Sequence, residues 1–415
     1  MRKIWTTVAL ASAVSLGAAA CGGTAPGGAT GGSGGGKTIK IGTLHPLSGA
    51  SAADGKQLEN GAKLAVEAIN AAGGIKSLGG AKLEISSGDT QGKPDVGQSE
   101  ATRLIQGGAV ALVGTYMSAV SANVSAVAER NKVPFVMDVT GDDGVLKHGY
   151  KYTYRIQPPN SQMGTQGAQD LYEISKAAGH PVKKVAYLHD DTAFGTSVLA
   201  AFKAQAAKLG FQVGPEISYS PASVSDLTTQ VTQVKASGAD VLAVTGYYAD
   251  SVLAAKAVAS VKPKLNAVFG IADGAFDQPQ FPGDAGAAGA GLYDTNYRQD
   301  ANNPQVQQLT TLYQQRFNDK IRTEAMLSYD AVRVIAAGLE KAGSSDRTKL
   351  RDAISGLSLD SLVIGNGPIK FDATGQNTGS LPVVTQVQGD AAKVVYPAKY
   401  AEDKVTPSFP ATAGS

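Results

Sequence analysis

Two short stretches hold the residues best suited to bind a small solute. Residues 115–118 read Thr-Tyr-Met-Ser and residues 245–248 read Thr-Gly-Tyr-Tyr, and each follows a four-residue apolar run, at 110–113 and 241–244. Ser118 begins the helical pattern SAVSANVSAVAER. A hydroxyl there, beside the unpaired N–H groups of a helix start, is a receptor for a carboxylate. The commoner role of such a serine is to cap its own helix. Tyr116 and Tyr247 each offer an apolar wall and a hydroxyl, although Tyr116 and Met117 could equally be core residues. Carboxylates fall at comparable places: Asp138, Asp142 and Asp143 after the run PFVM, and Asp273 after AVFGI. Asp142 and Asp143 also suit a solvated turn. Any one of the four that faces a cleft needs a cationic partner, because an unpaired buried carboxylate is costly. The chemistry expected is therefore recognition of a zwitterion or a cation.

Bond-breaking chemistry finds no comparable support. No Gly-x-Ser-x-Gly elbow and no phosphate-binding glycine loop leads from a strand into a helix. Histidines 45, 148, 180 and 189 are scattered, with no His-Glu-x-x-His or cysteine cluster for zinc. His189-Asp190-Asp191 is the nearest approach to a metal trio, but neighbours at a strand end point different ways. No enzyme, cofactor or metal is expected. A formal charge of +2 over 415 residues gives no electrostatic reason to expect nucleic acid.

The elements that must position these residues alternate strictly from Thr38 onward. Strand runs at 39–44, 83–86, 110–113 and 134–139 are separated by helical patterns, and a second series from about Lys184 repeats the scheme through KVAYLH, FQVGPEIS, DVLAVTG and AVFGI. Strand–helix alternation predicts parallel sheets covered on both faces, with ligands bound beyond the carboxyl ends of the strands. Both tyrosine-bearing strand ends would then face one cleft. Pro158-Pro159 marks a crossover between the series, and residues 372–375 read as a hairpin turn.

The N-terminus lies apart from this pattern. Arg2 and Lys3 precede an uncharged, Ala/Ser-rich run that reads as a secretory signal. Cys21, the only cysteine, follows three alanines and resembles the lipidated cysteine of bacterial lipoproteins, although Ala18 stands where that motif most often has leucine. The Gly-rich residues 22–36 read as a flexible tether reaching roughly 20 Å.

From about Thr38 to Lys399 the chain resembles the leucine/isoleucine/valine-binding proteins, the solute receptors of ABC amino-acid importers. IGTLHPLSGASAADGKQLENGAKLAVEAINAAGGI, ALVGTYMSAVS, VPFVMDVTG, YTYRIQPPNSQMG, VAYLHDDTAFG, SYDAVRVIAAGLEKAG and GPIKFDATG carry the resemblance, in that order. It implies a two-lobed type I periplasmic-binding-protein fold. Each lobe would be a mostly parallel sheet flanked by helices, and three crossovers would form a hinge. Residues 1–20 would be the signal peptide and 21–37 the lipidated cysteine and tether. Residues 38–158 with 290–366 would form the first lobe, 159–289 with 367–400 the second, and 401–415 a tail.

The resemblance also implies a ligand set. Ser118 and the segment around Thr140 would hold the ligand carboxylate, with Tyr116, Met117 and Asp138 nearby. Asn160, Phe194 and Tyr247 or Tyr248 would complete the cleft, with Ala272 or Asp273 at the position receiving the ammonium. Ala53 stands where branched-chain binders tend to have an aromatic residue. The implied function is a monomeric, membrane-anchored, extracytoplasmic receptor that hands an amino acid or related small molecule to ABC permease subunits. A ligand-sensing receptor on the same fold is the alternative.

Overall fold

The structure, a computed structural model, describes residues 37–402 and 405–411. The expected signal peptide, Cys21 and nearly all of the tether lie outside the described residues. Among the described residues no helix is long and apolar enough to cross a membrane. Residues 31–38 do spell Gly-x-x-x-x-Gly-Lys-Thr. Thr38, however, opens a strand, so the helix start that a phosphate loop requires is missing.

The first series runs β1 (Thr38–His45), α1 (Ala52–Ala71), β2 (Lys82–Asp89), α2 (Pro94–Gln106), β3 (Ala111–Gly114), α3 (Ser118–Arg130), β4 (Phe135–Met137), α4 (Gly144–Lys147) and β5 (Thr153–Arg155). Its five strands form a parallel sheet in the order β2-β1-β3-β4-β5. Alternate side chains serve opposite faces, as a doubly covered strand requires. Ile39, Ile41, Ala111, Val113 and Val136 pack with Leu58, Ala62 and Ala65 of α1. Leu44, Leu112, Phe135 and Met137 pack with Leu104 of α2 and Val120, Val124 and Val127 of α3. Pro94 opens α2, where its missing N–H costs nothing, and Gly107 follows the last turn.

The second series runs α5 (Asn160–Ala177), β6 (Lys184–Asp190), α6 (Ala193–Leu209), β7 (Gln212–Tyr219), α7 (Thr228–Ser237), β8 (Val241–Thr245), α8 (Tyr248–Val261), β9 (Ala267–Ile271), α9 (Phe281–Ala285) and β10 (Tyr293–Asn296). The same alternation recurs. Val241 and Ala243 face α5 and α6, whereas Leu242 and Val244 face α7 and α8. The chain then forms α10 (Pro304–Phe317), α11 (Thr323–Ala342) and α12 (Arg347–Ser355), and ends with β11 (Val383–Gln388) and β12 (Ala391–Tyr396). The second sheet has the order β12-β11-β10-β9-β8-β6-β7, antiparallel only where β10, β11 and β12 pair.

Two expected lobe boundaries shift. The return to the first lobe does not occur at 290, because β10 first pairs in parallel with β9 and extends the second sheet. Only then does α11 cross back and pack along α1 through Ala331, Val334 and Ile335. The return to the second lobe comes after 379 instead of at 367. The turn at Asp372–Gly375 stays with the first sheet, where Asn377 N–H bonds to the Arg155 carbonyl and Phe371 packs on Tyr154 at 5.0 Å. Residues of the expected tail also lie against the second lobe, with the Tyr293 hydroxyl donating to the Ser408 carbonyl at 2.8 Å. One core cluster is continuous across both sheets and passes between the lobes through Tyr116, Val139, Ile156, Met163, Ala272 and Tyr297.

Candidate functional site

Both tyrosine-bearing strand ends do turn toward one place. β3 stops at Gly114, and Tyr116 takes a left-handed backbone with φ +81°. Opposite it, the chain leaves β9 through Ala272, also left-handed with φ +53°. Such conformations cost a non-glycine residue on the order of 1–3 kcal/mol and persist where the surrounding fold imposes them. Here the two irregular turns aim strand-end residues from opposing lobes into one cavity of about 40 Å³.

The first lobe contributes Tyr116, Ser118, Val139 and Gly141 to this cavity, and Gln157 and Asn160 come from the crossover into α5. Met163, Phe194, Gly246, Tyr247, Ala272 and Gly274 belong to the second lobe, and Tyr297 and Glu324 complete the lining. Three aromatic rings are in series: Tyr116 lies 5.7 Å from Tyr247, which lies 5.3 Å from Phe194. Asn160 N–H donates to the Gly141 carbonyl at 2.7 Å, tying the start of α5 to the first lobe. A Cβ on Gly141 would lie 1.7 Å from Asn160 Oδ1, so only glycine permits this approach.

Ser118 does not cap α3. Met117 occupies the N-cap, and the Ser118 hydroxyl bonds to no other described residue. It is left available on the cavity wall, 3% exposed. Tyr116, Asn160, Phe194 and Tyr247 share that wall with it.

Four expected ligand residues lie elsewhere. Met117 turns into an adjoining groove. The Thr140 hydroxyl sits behind the wall in a buried chain with Ser121 and Thr115, at 2.6 and 2.7 Å. Asp138 bonds to His45 Nε2 at 2.9 Å, and Glu59 holds the other ring nitrogen at 3.2 Å. Burial alone would lower the His45 pKa, but Asp138 and Glu59 outweigh it and raise it to about 9. This places an imidazolium between two carboxylates beneath β1, and Asp138 is consumed in it. Asp273 folds back on its own turn, accepting from Ser251 Oγ at 2.6 Å and from the N–H groups of Ala275 and Phe276. Asp142 and Asp143 also serve turns, accepting from Gly144 N–H and from Ser161 respectively. Tyr248 likewise faces away, bonding to Asp284 at 2.6 Å.

The carboxylate that does face the cavity is Glu324, in the first turn of α11 and 2% exposed. Gln278 of the second lobe donates to its Oε1 at 3.0 Å, while Oε2 is buried with no hydrogen-bond partner. Burial, reinforced by the charge of Asp277, pushes the Glu324 carboxyl up to about 8 against the pull of Arg322. Beside it Arg322 bridges the lobes. It donates to Asp54 at 2.5 Å and to Gln280 at 3.1 Å and lies over the Tyr248 ring at 4.2 Å. Sequence reasoning passed over Glu324, Tyr297, Gln157 and Met163. An acidic residue in a helix's first turn already has an ordinary explanation in the helix dipole, so Glu324 carried no separate signal.

Among the described residues no group of His, Cys, Asp or Glu side chains is arranged to hold a metal. The arrangement can grip a small polar molecule between two α/β lobes and release it by hinge opening, which defines a two-lobed solute receptor. The chain belongs to the periplasmic binding protein family, whose model matches residues 38–392. These are solute-binding proteins, not enzymes.

Among curated relatives, Leu/Ile/Val-binding protein homolog 7 of Brucella suis biovar 1 is 28% identical over 370 residues, covering 86% of this chain and 91% of the relative. Homolog 8 of Brucella abortus is 28% identical over 373 residues, covering 86% and 90%. The fold is shared with the leucine binding protein LivK of Thermotoga maritima, with a TM-score of 0.75, 24% identity and coverage of 86% of this chain and 97% of that one. A solute-binding protein of R. palustris, solved with benzoate, gives a TM-score of 0.74 at 21% identity, covering 91% and 97%.

Proposed function

We propose that this protein is the extracytoplasmic receptor of an ABC importer, anchored to the outer face of the cell membrane through lipidated Cys21, and that it binds an amino acid or related small zwitterion between its lobes. The observation that carries the ligand class is Glu324 Oε2, a buried carboxylate oxygen on the cavity wall with no partner. An ammonium group satisfies it, and burying it unsatisfied is costly. The Ser118 hydroxyl at the start of α3 suits the ligand's carboxylate. The names of the Leu/Ile/Val-binding relatives agree with this reading. A plain aromatic acid such as benzoate would find ring partners in Tyr116, Tyr247 and Phe194 but would bring no cation to Glu324.

The test is a thermal-shift screen of the purified mature domain against amino acids, amides, polyamines and benzoates. A ligand at a hundredfold its dissociation constant adds about 2.7 kcal/mol. Ammonium-bearing compounds should stabilise the protein, and Glu324→Gln should abolish the shift. Stabilisation by benzoate but by no amine would defeat the assignment. Membrane association of a Cys21→Ala protein that is still processed would remove the anchor from the proposal.

A further inference from the structure

The sequence contains two Asn-Gly pairs, Asn60-Gly61 and Asn366-Gly367. In such a pair the side-chain amide carbon and the following peptide nitrogen can close into a succinimide ring, because glycine puts no Cβ in the way. The fold treats the two pairs oppositely. Asn60 and Gly61 lie inside α1, where the Gly61 N–H belongs to the helix ladder. The Asn60 amide is buried and donates to the Tyr313 hydroxyl at 3.2 Å. Asn366 and Gly367 are both exposed, in a bend outside any helix or strand. The Asn366 side chain and the Gly367 N–H bond to no other described residue. A Cβ on Gly367 would meet nothing within 4 Å, so the ring has room to form.

This bend sits on a crossover between the lobes. Ile364 packs with Val383 of β11 and Val394 of β12. The Asn366 N–H donates to the Gly379 carbonyl at 2.8 Å, and Gly365 pairs antiparallel with Ser380, where the chain returns to the second lobe. The approach is tight. A Cβ on Gly379 would lie 2.2 Å from the Pro368 carbonyl oxygen.

We infer that Asn366-Gly367 is a modification site, at which the folded protein converts asparagine to aspartate and isoaspartate unaided and so loosens this crossover. The Gly367 nitrogen gives up its proton to water and attacks Asn366 Cγ. The new C–N bond closes the succinimide, the Cγ–Nδ2 bond breaks, and the amide leaves as ammonia with that proton restored. Water then opens the ring at either carbonyl. One opening leaves aspartate. The other leaves isoaspartate, whose main chain runs through Cβ and Cγ and is longer by one carbon. That carbon falls between the Asn366 N–H and Pro368, the two groups that meet Gly379, so both cannot keep their places.

The test is tryptic peptide mapping of the purified protein after weeks of incubation, folded, at neutral and at mildly alkaline pH. The peptides ending at Lys63 and Lys370 report the two pairs separately. The Lys370 peptide should gain the mass of an acid in place of an amide and split into two chromatographic peaks, faster at the higher pH. The Lys63 peptide should stay unchanged until denaturant is added, when both should react. Gly367→Ala should slow the reaction at Asn366 severalfold, since the added Cβ crowds ring closure. A fall in melting temperature on ageing should then be confined to the wild type. An unmodified Lys370 peptide in the aged folded protein, or reaction at Asn60 as fast as at Asn366, would overturn the modification site. An unchanged melting temperature once the wild type has been converted would overturn its effect on the crossover.

Discussion

Ser118 bonds to no other described residue through its hydroxyl, so its removal should cost the empty protein little. Ser118→Ala should leave the unliganded melting temperature nearly unchanged while weakening amino-acid binding by about 1.5–3 kcal/mol, the range for a hydrogen bond to a charged group. A calorimetric titration beside a melting curve separates the two effects, whereas a helix-capping serine would move both. Glu324 makes a second prediction at this scale. Its carboxyl, held up to about 8, is mostly protonated at pH 6–7, and an ammonium ligand prefers the ionised form. Binding should therefore expel a proton. Affinity should rise from pH 6 toward pH 8 and flatten above that, and Glu324→Gln should bind weakly with no such slope. Titrations in two buffers of different ionisation enthalpy would reveal the proton. The strand-end tyrosines and Ser118 were legible because strand–helix alternation brings the carboxyl ends of parallel strands to one side of each sheet, where ligands bind. Glu324 was not, because its location in the cleft depends on where α11 lands, and no local pattern records that.

Among the elements, α11 does two jobs. It completes the face of the first sheet opposite α2 and α3, and its N-terminal residues reach the cleft. Arg322, just before it, binds Asp54 of α1 and also meets Gln280 and Tyr248 of the second lobe. This is a latch between lobes. Lysine keeps the charge but lacks the planar fork and stacks less well on a ring. Arg322→Lys should therefore enlarge the radius of gyration of the unliganded protein in solution scattering and weaken ligand binding. An unchanged scattering curve would show that the bridge does not hold the lobes together. The strands were legible from their apolar alternation and the helices from their period, but the lobe boundary after β9 was not. β10 is only four residues, Tyr293–Asn296, all of them polar or bearing a hydroxyl, too short and too polar to announce itself. The turn at Asp372–Gly375 was readable as a turn, yet its partner strand, β5, lies over 200 residues earlier.

For the whole molecule, several buried groups hold their protons more tightly folded than unfolded. Burial raises Asp170 to about 7 and Asp273 and Glu324 to about 8, and His45 is raised to about 9 because Asp138 and Glu59 outweigh its burial. The sign is the same for all four. Between its unfolded and folded pKa each group binds more protons in the native state, so stability falls as pH rises through that window and levels off above it. The unliganded melting temperature should fall steadily from pH 6 to pH 9. At the acid end Glu59 acts the other way. Although burial would raise it, His45 and its other partners hold it down to about 2, so its contribution is lost as pH falls below about 4.5. Melting curves across pH 3–9 should therefore show a maximum at about pH 4–5, where the loss from Glu59 on the acid side meets the onset of the fall from the buried acids. A flat profile between pH 6 and pH 9 would contradict the picture of protonated buried acids.

The discontinuity of the first lobe also bears on how the chain is made. Its five strands are complete at Arg155, but α11, which covers much of one sheet face, begins at Thr323. At 5–20 residues per second, a chain emerging N-terminus first waits roughly ten to thirty seconds for that helix. During the wait Val113 and Val136, buried against α11 in the finished fold, have only α1 on their side of the sheet. Nascent first lobes are thus an obvious client for a holding chaperone, and a fragment ending near residue 300 should remain adhesive toward apolar dyes however long it is given to fold.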